Sequence, residues 1–299
     1  MSLSSREVIM KQILYTVLGL AVSALFGAAR ADVVVSPSIA GPAAAGTGAN
    51  ASFFMINDNW RGSTVAWNES TRQYGTNLSA PGFAPIGSFS WGTGLWGRAD
   101  WNTINQPGTT APIVASVNTL ATSIMFGDTC YGQNPTFGAA TLPLSGSATP
   151  SACPGAAAPV PFNANNWTSR FTGFIRVTDP GAYNFSVGSD DGFFFDLYGG
   201  GGTKLSIGRD FLNARTRDSF NENLVLSQGL YQFELGSWDR LEAGFVDLRW
   251  KLPGATDYTL IPAQNLVASA SSVDLPGTVA LGAAAGFFGW AARRRRNRV

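Results

Sequence analysis

The chain has 299 residues, with 35 glycines, 16 prolines, 12% aromatic and only 13% charged residues. It contains no histidine, which removes the commonest general base and the commonest transition-metal ligand. Zinc and copper sites are disfavoured, whereas Ca²⁺, which takes oxygen ligands, stays open. The net charge of +1 hides an asymmetry: the basic residues gather at the two ends.

Met10-Lys11 opens a basic segment, residues 13–27 are apolar, and Ala29-Arg30-Ala31 is a small-x-small site. Together they predict a secretory signal peptide over residues 1–31, with Met1 and Met10 both open as starts. Eight of the 20 basic and two of the 19 acidic residues lie in the signal peptide and the tail described below, leaving 12 against 17 between them. A region near −5 argues against nucleic acid as a partner, because phosphate binding needs a basic face. Residues 32–47, rich in Ala, Gly, Pro and Ser, read as a flexible leader.

The next expected unit covers residues 48–254. Ser52-Phe53-Phe54-Met55 is its predicted opening strand, and residues 86–91 suggest another. Residues 105–165 are rich in Thr, Ala, Pro and Gly and read as an insertion holding the only two cysteines, Cys130 and Cys153. In an oxidising envelope the pair is expected to form one disulfide. That crosslink contributes about 3 kcal/mol in the chain-entropy picture.

The clearest strand signals lie in residues 167–250. Residues 171–177 form a strand, and Asp179-Pro180-Gly181 is a turn. Tyr183, Phe185 and Val187 alternate onto one face. Ser189-Asp190-Asp191-Gly192 reverses the chain into a strand over residues 193–198. Gly199 to Gly202 break it, and Leu205 and Ile207 begin another. Leu224-Val225-Leu226 precedes a Gln228-Gly229 turn, a strand over 230–235 and a last strand over 245–250. Short strands at this spacing predict an all-β fold, an antiparallel β-sandwich of jelly-roll type. Helix patterns are nearly absent outside the signal helix and a C-terminal hydrophobic helix.

Residues 255–273 read as a polar spacer. The tail, residues 274–299, has three parts. Leu275, Pro276, Gly277 and Thr278 lead into an apolar run ending at Ala292, followed by Arg293, Arg294, Arg295 and Arg296. The run is shorter than the roughly 20 residues a spanning helix needs, and the arginines stay on the cytoplasmic side. This tail resembles the PEP-CTERM signal of Gram-negative bacteria, with Leu-Pro-Gly-Thr where that family usually has Pro-Glu-Pro. The resemblance implies an exosortase as processing partner and a membrane-anchored precursor. It also implies release to the cell surface or an exopolysaccharide matrix. An ordinary C-terminal anchor is the plainer reading.

Residues 167–250 also resemble the lectin-like β-sandwich named after the anthrax protective antigen and found in yeast flocculins. The likeness rests on Trp167-Thr168-Ser169-Arg170-Phe171-Thr172-Gly173-Phe174-Ile175, Pro180-Gly181-Ala182-Tyr183-Asn184-Phe185 and Ser189-Asp190-Asp191-Gly192. Gly229-Leu230-Tyr231-Gln232-Phe233 and Val246-Asp247-Leu248-Arg249-Trp250 complete it. In sugar-binding members such an Asp-Asp pair is joined by a cis peptide and chelates Ca²⁺, which bridges to sugar hydroxyls. The resemblance therefore implies metal ligation by Asp190 and Asp191. It also implies that Trp238, Asp239, Arg240 and Glu242 form a second loop toward a carbohydrate. Ser-Asp-Asp-Gly is equally a good turn sequence, so a role in folding alone stays open.

Enzymatic chemistry finds little support. Glycoside hydrolysis needs a carboxylate pair across a bond, and the spacing of Asp190, Asp191, Asp196, Asp239, Glu242 and Asp247 singles out none. Five Asn-x-Ser/Thr triplets occur without requiring use. The expected protein is secreted and non-enzymatic and binds carbohydrate with Ca²⁺ as cofactor. The alternative is a structural or protein–protein module without a ligand site.

Overall fold

The computed structural model describes residues 32–57, 60, 66–68, 73–75, 83–85, 94–127, 140–144, 166–210, 212, 216–240 and 244–270. The chain opens with two short strands, β1 (Val33–Val35) and β2 (Ile39–Ala40), then the long β3 (Ala49–Ile56). Three short strands, β4 (Ala66–Asn68), β5 (Gln73–Gly75) and β6 (Phe83–Pro85), make a small separate sheet. A helix, α1 (Arg98–Asn105), precedes β7 (Ile113–Ala121), β8 (Met125–Gly127) and β9 (Ala140–Thr141). The central strands are β10 (Trp167–Val177), β11 (Gly181–Asp190), β12 (Gly192–Tyr198) and β13 (Lys204–Arg209). β14 (Thr216–Ser219), β15 (Leu224–Leu226), β16 (Gly229–Asp239) and β17 (Phe245–Lys251) follow, and β18 (Thr259–Leu260) and β19 (Leu266–Val267) close the described chain.

The strands form two eight-stranded sheets. The first runs β1-β15-β11-β17-β8-β9, with β14 beside β11 and β18 beside β17. The second runs β13-β12-β16-β10-β3-β7, with β19 beside β10 and β2 beside β16. Pairing is antiparallel except for β1 with β15 and β8 with β9. The longest ladder joins β10 to β16, from Trp167 opposite Asp239 to Val177 opposite Gly229.

Alternation places one face of each strand inside. β10 gives Phe171 and Ile175, β12 gives Phe193, Phe195 and Leu197, and β16 gives Tyr231, Phe233 and Leu235. From the first sheet come Tyr183, Phe185, Val187, Val246, Leu248 and Trp250, all buried in the same core. Rings meet across the layers: Phe185 lies 5.8 Å from Phe195, and Phe195 lies 6.3 Å from Phe233. Each such buried ring contributes about 1.5–3 kcal/mol. At one edge Arg209 of β13 and Asp218 of β14 form a two-pronged ion pair, at 2.5 and 3.1 Å, that ties the sheets together. The fold is thus the expected all-β sandwich.

A second apolar cluster lies on the outer face of the β10–β16 sheet. Trp101 and Ile104 of α1 cover Phe194 and Trp238, with Ile56 and Leu95 beside them. The Trp101 and Phe194 rings meet edge to face at 4.7 Å. Trp101 Nε1 donates to Ser169 O at 2.9 Å. Gly236 lies beneath: a Cβ there would stand 2.3 Å from Phe194 and 2.7 Å from Trp101, so only glycine lets the helix approach.

Several boundaries differ from the sequence reading. The expected leader supplies β1 to one sheet and β2 to the other, and Val35 O accepts the buried Tyr231 hydroxyl at 3.0 Å. Small residues there serve close packing: a Cβ on Gly46 would overlap Leu266 O. Within the expected insertion, β7 pairs with β3, and β8 pairs with β17. The expected spacer contributes β18 and β19 and buries Ile261 and Leu266. The strand over 245–250 is therefore not the last, and α1 was not foreseen. Among the described residues no helix is long and apolar enough to cross a membrane. The signal segment, residues 86–91, Cys130, Cys153, Glu242, the 275–278 motif and the terminal arginines lie outside the described residues.

Candidate functional site

The β11–β12 hairpin turns at one end of the sandwich. Asp190 closes β11, Gly192 opens β12, and the peptide bond between Asp190 and Asp191 is cis. Both aspartates are half-buried. The backbone N–H of Asp191 donates to Trp238 O at 3.0 Å, and Asp191 Oδ2 accepts from the backbone N–H of Arg240 at 2.9 Å. The end of β16 therefore holds the hairpin from the neighbouring ladder, and the segment the resemblance named as a second loop does adjoin the pair.

The role of that segment differs from the expected one. Trp238 and Asp239 belong to β16 rather than to a loop, and both are fully buried. Arg240 is 3% exposed, and its guanidinium lies 4.4 Å from the centre of the Trp96 ring. These side chains frame the hairpin and are not a surface platform for a sugar. The aromatics Phe193, Phe195 and Trp250 lie in the main core, and Phe194 lies beneath α1.

Asn166 is the joint of this frame. Its N–H donates to Arg240 O at 3.1 Å, its C=O accepts from Ile56 N–H at 3.0 Å, and its Oδ1 accepts from Leu95 N–H at 3.0 Å. It adopts φ +49°, a left-handed conformation that asparagine tolerates better than most residues. Gly94, itself at φ +83°, passes so close that a Cβ would stand 2.3 Å from Asn166 Oδ1. Asp100 completes the arrangement by accepting from Trp96 N–H at 2.8 Å. One asparagine thus links β3, β10, the 94–97 segment and Arg240. Sequence reasoning missed Asn166, Trp96 and Gly94. The available signal was an asparagine at the head of the strand-rich stretch that begins at Trp167, a residue type enriched at positive φ.

The donor set suits a hard cation. The hairpin presents two carboxylates, which Ca²⁺ takes singly or in pairs of oxygens. Among the described residues no three of His, Cys, Asp and Glu converge on a metal position. The other positions of a six- to eight-oxygen shell would fall to carbonyls, water or ligand hydroxyls.

The fold and this end together define an antiparallel β-sandwich with an acidic hairpin at one end. No protein-family model matches the chain, and no curated protein matches it in sequence. Among solved structures it is similar to a sugar-binding PA14 domain from an RTX adhesin. That match has 14% identity and a TM-score of 0.42, over 75% of this chain and 99% of that one. It is also similar to the Candida glabrata epithelial adhesin 9 A domain, determined with Galβ1-3GlcNAc. Identity there is 10% and the TM-score 0.47, over 81% of this chain and 99% of that domain. A PA14 domain of the antifreeze protein MpAFP matches with 12% identity and a TM-score of 0.40, over 80% and 98%.

Proposed function

We propose that the protein is an exported, non-enzymatic carbohydrate-binding module whose binding end is the Asp190–Asp191 hairpin. The observation that carries this reading is the placement of two adjacent half-buried aspartates on one hairpin turn, clamped by the Arg240 N–H and backed by a buried frame. Asp190 and Asp191 would hold Ca²⁺, which supplies a hard centre for sugar hydroxyls. Trp238, Asp239 and Arg240 set the position of the hairpin, and the resemblance adds Glu242 as a proposed ligand contact. The sorting tail supports delivery to the cell surface or an exopolysaccharide matrix by way of a membrane-anchored precursor and an exosortase-type enzyme.

Retention on an immobilised glycan array tests this, with Asp190→Asn and with a chelator. Both should abolish retention, while without Ca²⁺ the melting temperature of the variant stays within about 2 °C of the equally Ca²⁺-free parent. Retention that survives both would leave the sandwich as a structural or protein–protein module.

A further inference from the structure

A second built feature adjoins the hairpin on the outer face of the first sheet. Phe185 and Val187 of β11 turn into the core, so Ser186, Gly188 and Asp190 turn outward. Gly188 stands between Arg217 of β14 and Asp247 of β17 in the register. The Asp247 carboxylate is 2% exposed. Its Oδ2 accepts from Arg217 Nη2 at 2.5 Å and Arg249 Nε at 3.2 Å, and its Oδ1 accepts from Gly188 N–H at 3.2 Å. Arg217 Nη1 also donates to Ser186 Oγ at 3.3 Å. A Cβ on Gly188 would stand 2.6 Å from Arg217 Nη2, so the guanidinium lies directly across the glycine.

One buried carboxylate thus fixes two guanidinium groups, and the cluster carries a surplus positive charge. Neutralising the Asp247 charge needs only one arginine. Each guanidinium has five N–H donors, and these bonds use two from Arg217 and one from Arg249. Both side chains remain about a third exposed, at 37% and 30%. We propose that this pair is a subsite for the carboxylate of an acidic sugar unit. The planar fork of arginine matches a carboxylate, and fixing it beforehand lowers the ordering cost of binding. Gly188 lies two residues from Asp190, about 7 Å along the strand, so one glycan can span both places. The region between the chain ends carries more acidic than basic residues, so general charge attraction would repel such a ligand. Preference for it must come from these two arginines.

The inference rests on the glycan reading of the hairpin, and one experiment separates the two. The full chain is titrated calorimetrically with a short oligogalacturonide and with its carboxyl-reduced counterpart, at fixed Ca²⁺ and 0.15 M salt. The acidic form should bind about tenfold more tightly. Arg217→Gln with Arg249→Gln should erase that difference and leave the reduced form unchanged. Arg249→Lys keeps the charge but loses the fork, and should erase most of the preference with the melting temperature retained. Equal affinities in the parent, or equal weakening of both ligands by the variants, overturns the subsite while the hairpin reading stands. Binding of neither oligosaccharide overturns both.

Discussion

Asn166 holds the hairpin end of the sandwich together through one side-chain oxygen and an unusual backbone angle. Asn166→Ala removes the bond to Leu95 N–H and leaves a side chain less suited to φ +49°. The expected loss is about 2–3 kcal/mol in urea unfolding, and Asn166→Gly should recover the backbone share of it. A change below about 0.5 kcal/mol would show that the frame does not depend on this joint. Tyr183 gives a second test at the same scale. Burial, then the charges of Asp179 and Tyr231, push its hydroxyl up to about 12 from 10.0. The folded state therefore keeps a proton that the unfolded chain releases first. Its contribution is complete below pH 10 and is lost as pH rises toward 12, on the order of 2 kcal/mol. Tyr183→Phe should flatten that part of the alkaline stability curve, and an unchanged slope would contradict the assignment.

The strands that the sequence shows best are those whose alternation is plain. β10, β11, β12, β16 and β17 follow from runs such as Tyr183-Asn184-Phe185-Ser186-Val187, because a period of two has one structural meaning. The hairpin was legible for the same reason: Ser-Asp-Asp-Gly is a turn between two such runs. β1, β2, β18 and β19 were not, because two- or three-residue strands carry no period and form by docking onto ladders already made. β7 alternates as well, but Thr, Ser and Ala in its stretch resembled a loop. Helix α1 has only Trp101 and Ile104 on its buried face beside Asp100, too little for a helical signal. Its stability must come from packing on Phe194 and Trp238. Trp101→Ala should therefore cost about 3–5 kcal/mol, read by denaturant unfolding, and should loosen the Trp96–Arg240 contact behind the hairpin. Near-neutral behaviour would mean that the helix is not anchored by this ring.

The whole molecule joins a rigid sandwich to one chemically distinct end. Both chain ends that the structure describes are woven into it. β1 and β2 bridge the sheets, Gly46 N–H donates to Gln264 O at 2.9 Å, and Gly48 N–H donates to Leu266 O at 3.0 Å. Residues 32–47 and 255–270 therefore belong to the folded unit, and removing residues 32–47 should lower the melting temperature by about 10 °C or more. A truncated chain that melts like the parent would return the segment to a leader. The most direct measurement of the central claim is calorimetric titration of Ca²⁺ into the purified protein, followed by a melting scan. One ion should bind per chain, and saturation at about 100 times Kd should raise the melting temperature by about 5–10 °C, with both effects lost in Asp190→Asn. Heat equal to that of dilution and an unmoved melting temperature would contradict it.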